Sequence, residues 1–151
     1  MPVIEFNLLA GEISARTTVI SRPNFPNAFP DALRDANIPV GDVDLIGGLR
    51  ARVVALNGDD FGEYERIEIR ACPRGSSGGC NNISSIVFSQ EDLFRRRDQT
   101  VNLSPSLVNF RELLLGSDLY RFELTFRSGT VTSRNISGRL EWSLMAVGDL
   151  D

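Results

Sequence analysis

The chain has 151 residues, a net charge of −4 and an apolar share of 42%, the size and make-up of one globular domain that buries roughly two-thirds of its unfolded surface. All sixteen basic residues are arginine, and lysine and histidine are absent. That inventory excludes a Ser-His-Asp or Cys-His arrangement, a phosphate-loop lysine and a Schiff base, and the acidic balance argues against generic nucleic-acid binding, which needs a basic field.

Residues 3–10 are apolar, but Glu5 and Asn7 interrupt them and no basic segment precedes them, so they do not read as a signal peptide. No stretch approaches the roughly 18 apolar residues of a transmembrane helix. Ile4, Phe6 and Leu8 share one parity of an extended run. Ile13, Ala15, Thr17 and Val19 share the other, with Gly11 placed to switch the inward face. Residues 21–42 hold Pro23, Pro26, Pro30 and Pro39, a density that forbids a central strand. They read as a long Pro-rich connection containing one or two helical turns near Pro30 and Asp31, and Phe25 and Phe29 pack it onto the domain.

Residues 45–56 predict a strand with Leu49, Ala51, Val53 and Ala55 inward, and Asn57-Gly58-Asp59-Asp60 a turn. Residues 64–88 predict a β-hairpin closed by a disulfide between Cys72 and Cys80, the two cysteines of the chain. With the cysteines opposed, Ile69 faces Ile83 and Ile67 faces Ser85. One face then carries Ile67, Ile69, Ala71, Ile83 and Val87, and Tyr64, Ile86 and Phe88 fall on the polar side unless a bulge at Gly78-Gly79 intervenes or a second apolar patch lies beyond the hairpin. The cysteine spacing is not that of a zinc or redox pair, and a persistent disulfide belongs to an oxidising compartment: extracellular, periplasmic or cell-surface. Free thiols would instead indicate the cytoplasm.

Ser89-Gln90-Glu91-Asp92 predicts a short helix with Ser89 as N-cap. Arg95-Arg96-Arg97, flanked by Glu91, Asp92 and Asp98, reads as a solvated turn. Residues 100–103 form a short strand, and residues 107–115 a short helix or packed loop. Residues 119–127 give the cleanest alternation, with Tyr120, Phe122, Leu124 and Phe126 on one face. Residues 131–133 return beside that strand. Residues 136–147 close the domain with Leu140, Trp142, Leu144 and Ala146 inward, and residues 148–151 make a polar tail.

Seven to nine such strands make an all-β, antiparallel β-sandwich, a single domain over residues 1–151. The series Asp44-Leu45-Ile46, Leu49-Arg50-Ala51-Arg52-Val53, Gly58-Asp59-Asp60-Phe61 and Glu65-Arg66-Ile67-Glu68-Ile69 is similar to small β-sandwich domains of secreted bacterial surface lipoproteins. The resemblance implies a secreted setting and a lipid anchor removed with its cysteine; it carries over no functional residue.

Three functions compete. The first is a non-enzymatic secreted or cell-surface protein with a structural or binding role, taking a carbohydrate or protein partner on a face built from Phe25, Phe29, Phe61 and Tyr64. The second is a β-rich component of a virion or appendage. The third is a carboxylate-based glycoside hydrolase using acids among Asp59, Asp60, Glu63 and Glu65. Calcium is the one cofactor with sequence support, at Asp42, Asp44, Asp59 and Asp60, although a hard cation wants about six to eight oxygens and neither acidic pair supplies them alone.

Overall fold

The computed structural model describes residues 3–11, 13 and 16–148. Among them are eight strands: β1 (Val3–Leu8), β2 (Thr17–Pro26), β3 (Leu45–Ala55), β4 (Tyr64–Pro73), β5 (Ile86–Gln90), β6 (Thr100–Pro105), β7 (Leu119–Ser128) and β8 (Ile136–Val147). Two short helices, α1 (Phe29–Asp35) and α2 (Arg111–Gly116), lie in connections. The strands pair antiparallel in one unbroken order, β1-β8-β3-β6-β5-β4-β7-β2. The all-β antiparallel class is therefore as the sequence indicates, but the halves are not independent sheets. β5 and β6 join them through two residue pairs, Phe88 with Pro105 and Ser89 with Ser104.

The sheet curls onto itself until its faces meet. Phe6 of β1 lies 5.1 Å, ring to ring, from Phe126 of β7, and Phe122 of β7 stacks 5.1 Å from Trp142 of β8. β1 and β2 are left as the free edges. The strongest alternation in the chain becomes the middle of the core: Tyr120, Phe122, Leu124 and Phe126 are all buried. Burial of this apolar surface, at roughly 25 cal/mol per Å², is the main force holding the curl closed.

Bulges account for the places where simple alternation fails. One between Gly48 and Arg50 turns Leu49 outward, 49% exposed, and puts Ile46 and Gly48 inside, against the predicted inward Leu49. Phe88 fills the space over Gly48; a Cβ on that glycine would lie 2.5 Å from the ring. A second bulge, between Tyr64 and Arg66, brings Tyr64 into the core beside Ile67 and Ile69. A third, between Ile69 and Arg70 where β4 meets β5, buries both Val87 and Phe88.

That third bulge also marks the error in the predicted hairpin. Ile69 pairs with Phe88 and Ile67 with Gln90, not with Ile83 and Ser85. The residues before β5 are not extended: Ile83–Ser85 form a 3-10 turn capped by the Asn82 side chain, and Ile83 is 80% exposed. The disulfide Cys72–Cys80 is present, with Cα atoms 5.5 Å apart, but it ties the end of β4 to the loop instead of linking paired strands.

Proline placement in β2 corrects the long connection. The strand continues to Pro26, and the 21–42 segment is a connection only beyond it. β2 tolerates Pro23 and Pro26 because it is an edge strand and its register shifts between Arg22 and Phe25. Its inward residues are Thr18 and Ile20. Val19 and Ile13, 49% and 58% exposed, point out, against the predicted parity, and Ala15 lies outside the described residues. The helix expected at Ser89 does not form. Ser89 and Gln90 belong to β5, and Asp92, Arg95 and Arg97 have φ values of 58°, 67° and 56°, a left-handed backbone that no α-helix admits. Residues 131–133 form no strand, and Ala146 is exposed. Of the predicted polar tail, residues 149–151 are outside the described set.

The antiparallel pairing sorts the connections to two ends. Loops 56–63, 91–99 and 129–135 share one. The other carries α1, α2 and the disulfide loop, and holds the aromatic cleft.

Candidate functional site: an aromatic cleft beside α1

The cleft starts from local sequence. Pro30 occupies the first turn of α1, where its missing N–H costs nothing, and Asp31 pairs with Arg34 one turn on. Asn37 takes the left-handed conformation at φ 57°. Its N–H donates to the Arg34 carbonyl, and Ile38 N–H donates to the Leu33 carbonyl. This pattern closes the helix C-terminus, and buried Leu33 fixes which face meets the core. Asn27 pins the corner before α1. Its side-chain amide donates to the Leu114 and Ser117 carbonyls at 2.8 and 2.7 Å, and its Oδ1 accepts Phe29 N–H at 3.1 Å.

The result is a cavity of about 260 Å³ between the end of β2, α1 and the paired aromatics of β7 and β8. Phe25, Phe29, Tyr120, Trp142 and Leu144 supply its apolar surface, and Ala28 and Ala32 leave room beside them. Phe25 is held edge-on to Tyr120 at 5.5 Å and stacked on Phe122 at 5.2 Å, so the wall is ordered before anything binds. Burial pushes the Tyr120 hydroxyl well above the ordinary phenol range. Polar capacity in the cleft is small. Asn27 is committed to its own backbone partners, and Ser143 Oγ and the Trp142 indole N–H are buried with no hydrogen-bond partner.

Of the four aromatics predicted to form a binding face, the cleft unites Phe25 and Phe29. Phe61 and Tyr64 are each 1% exposed and pack on Phe126 at the opposite end, so they belong to the core and offer no surface. Tyr120 and Trp142 are the cleft residues that sequence reading missed as such. Their alternation marks them as inward-facing, and only the position of α1 shows that the inward space is open there.

The acids do not converge. Asp42 and Asp44 precede β3 and Asp59 and Asp60 follow it, at opposite ends of an 11-residue strand. No group of three or more metal-ligating side chains occurs among the described residues. Asp60 accepts Gly62 N–H at 2.8 Å, Asp59 sits 3.8 Å from Arg134, Glu63 accepts from Ser133 N–H and Oγ, and Glu65 pairs with Arg127 at 2.5 Å. Each carboxylate offered for hydrolysis therefore already has a structural partner. Arg95 and Arg97 line a separate cavity of about 540 Å³ with Arg134, but Asp60 and Glu63 line it too and offset most of the charge.

A further cavity of about 580 Å³ runs between the disulfide loop and α2. Its amide-rich wall is largely self-satisfied: Asn109 donates to the Asp44 carbonyl and accepts from Ile46 and Arg111 N–H, and Asn81 donates to the Gly78 carbonyl. No protein-family model matches this chain, and neither does any curated protein.

Proposed function

We propose that the chain is a non-enzymatic binding module of β-sandwich type, secreted or displayed at a cell surface, which anchors an apolar side chain of a protein partner in the Phe25–Phe29 cleft. The observation that carries this reading is the cleft itself: ordered aromatic walls, small residues at Ala28 and Ala32, and polar groups already committed or covered. Between the two partner classes the sequence suggests, this chemistry favours protein. A sugar ring carries a hydroxyl on most carbons and needs several hydrogen bonds that the cleft does not offer, whereas a leucine, phenylalanine or tryptophan side chain needs contact area. The disulfide supports an oxidising compartment, and the resemblance to secreted surface domains points the same way.

The test is selection of short random peptides displayed against the purified protein. Enrichment of one large apolar residue is expected. Ala32→Trp, which fills the cleft from the exposed side of α1, should weaken the selected peptide about tenfold or more, a loss of roughly 1.4 kcal/mol. Equal binding to Ala32→Trp, or exclusive capture of glycans on a parallel array, would discard the proposal.

A further inference from the structure

We infer that the arginine-lined cavity at the end opposite the aromatic cleft is a binding site for a small zwitterion, a free amino acid whose carboxylate lies between Arg95 and Arg97 and whose ammonium faces Asp60. The site is separate from the cleft and does not rest on it. The three consecutive arginines behave differently. Arg96 turns away and pairs with Asp98 at 3.1 Å, whereas Arg95 and Arg97 line the cavity of about 540 Å³. The backbone makes that division. Arg95 and Arg97 have φ values of 67° and 56°, the left-handed region that residues other than glycine and asparagine rarely enter. Such strain persists only where the surroundings over-determine it. Here the Arg95 N–H donates to the Gly62 carbonyl at 2.8 Å, the Phe61 N–H donates to the Asp98 carbonyl at 3.0 Å, and Leu93 is buried. Two glycines seat the loop. A Cβ on Gly62 would lie 3.3 Å from the Arg97 nitrogen, and one on Gly129 would lie 2.5 Å from the Phe94 ring.

Opposite charges share this cavity and do not close on one another. Among the described residues the Arg97 guanidinium makes no ion pair or hydrogen bond, and that of Arg95 contacts only the Phe94 ring, 5.2 Å from its centroid. Asp60 accepts the Gly62 N–H through Oδ1, and Glu63 takes the Ser133 N–H and hydroxyl. Neither carboxylate meets an arginine. Arg134 is held at 3.8 Å from Asp59. Guanidinium and carboxylate groups attract strongly and pair well when their side chains can reach. The anchored loop keeps these apart.

That separation decides the occupant. A simple oxyanion on Arg95 and Arg97 would face Asp60 and Glu63, which repel it, and a simple cation would meet the reverse. A polyanion gains little from walls whose charges nearly cancel. One small molecule with a carboxylate and an ammonium satisfies both walls. The guanidinium forks match a planar carboxylate, and Asp60 Oδ2, which takes no hydrogen bond among the described residues, accepts an ammonium N–H. Thr130 adds a hydroxyl to the lining.

The experiment follows backbone amide shifts by NMR. Glycine, β-alanine and γ-aminobutyrate, which set the two charges progressively further apart, are titrated to about 10 mM beside propionate and ethylammonium, which carry one charge each. Saturable shifts confined to residues 60–63, 94–97 and 129–134 are expected with at least one zwitterion, bound about tenfold or more tightly than either singly charged analogue. Arg97→Gly removes the guanidinium and suits the left-handed backbone, so binding should fall about tenfold or more while the urea midpoint holds or rises. Asp60→Asn keeps an oxygen for the Gly62 N–H and removes the charge. It should erase the preference for the zwitterion over propionate. A lower midpoint in Arg97→Gly would assign that arginine to the fold and overturn the inference. Propionate or sulfate binding as tightly as the best zwitterion would mark a plain anion site and overturn it too, as would the lack of any saturable shift.

Discussion

The Cys80 backbone N–H donates to the Glu123 carboxylate at 3.0 Å, so the disulfide loop is fastened to the outer face of β7 as well as to β4. Arg121 holds the other carboxylate oxygen at 3.0 Å, and Arg70 donates to the Cys80 carbonyl at 2.8 Å. Gly79 passes so near that a Cβ there would lie 2.6 Å from Glu123 Oε2, and its φ is +92°.

Gly79→Ala should therefore destabilise the fold by about 1–3 kcal/mol, from backbone strain and overlap together. Glu123→Ala should cost about 2–3 kcal/mol, because it strands a buried N–H and loosens Arg121. Urea unfolding measures both, and a wild-type midpoint in either variant would contradict the loop's attachment.

Removing the disulfide should do less damage than its central place suggests. With Cys72 and Cys80 eight residues apart, chain entropy assigns the bridge about 2.5 kcal/mol. Cys72→Ser/Cys80→Ser is expected to lower stability by that order while far-ultraviolet circular dichroism keeps its strand signature, since no strand pairing runs through the bridge. Intact mass of thiol-blocked protein, before and after reduction, checks that the native chain is bridged.

Gly48 and Phe88 make a lock between β3 and β5. Gly48→Ala should cost about 1–3 kcal/mol by pushing the ring off its site. Gly48→Ala combined with Phe88→Leu should recover part of that loss, because the smaller side chain vacates the overlap. A double variant whose loss equals the sum of the singles would mean that the two do not touch in solution.

Alkaline pH should loosen the aromatic wall. The Tyr120 hydroxyl is held neutral by burial, its folded pKa raised above the unfolded value near 10. Below about pH 10 both states keep the proton and stability is unaffected. Above it the unfolded chain loses a proton that the folded chain keeps, so stability falls as pH rises. Urea midpoints measured from pH 8 to 11 should decline above 10 in the wild type and less steeply in Tyr120→Phe.

Much of this fold was legible because period-two patterns survive folding wherever the pairing is regular. β1, β7 and the first half of β8 present the faces their alternation predicts. Several of the failures share one cause, the insertion of a residue into a ladder. Leu49, Tyr64 and Phe88 each sit at a bulge, and a bulge swaps inside for outside beyond it without leaving a composition signal. Pro23 and Pro26 were read as part of a connection because they exclude a central strand, but an edge strand tolerates them and β2 runs on to Pro26. The cleft was half legible, through Phe25 and Phe29. Phe61 and Tyr64 look alike in sequence, a large aromatic beside a turn, yet only the packing of β4 on β7 decides that they are interior. The cysteine pair was read correctly as a bridge and wrongly as a register mark, since a loop can satisfy the same bond.

The strand order has a consequence for synthesis. β1 pairs only with β8, Val3 opposite Glu141. A ribosome delivers the first of these residues roughly ten seconds before the second. Until β8 emerges Ile4, Phe6 and Leu8 have no strand partner, and β3 has at most its β6 flank and not its β8 flank. The nascent chain therefore keeps β1 unpaired until its last strand emerges, and a ribosome pausing before residue 136 would lengthen that interval without changing the finished protein.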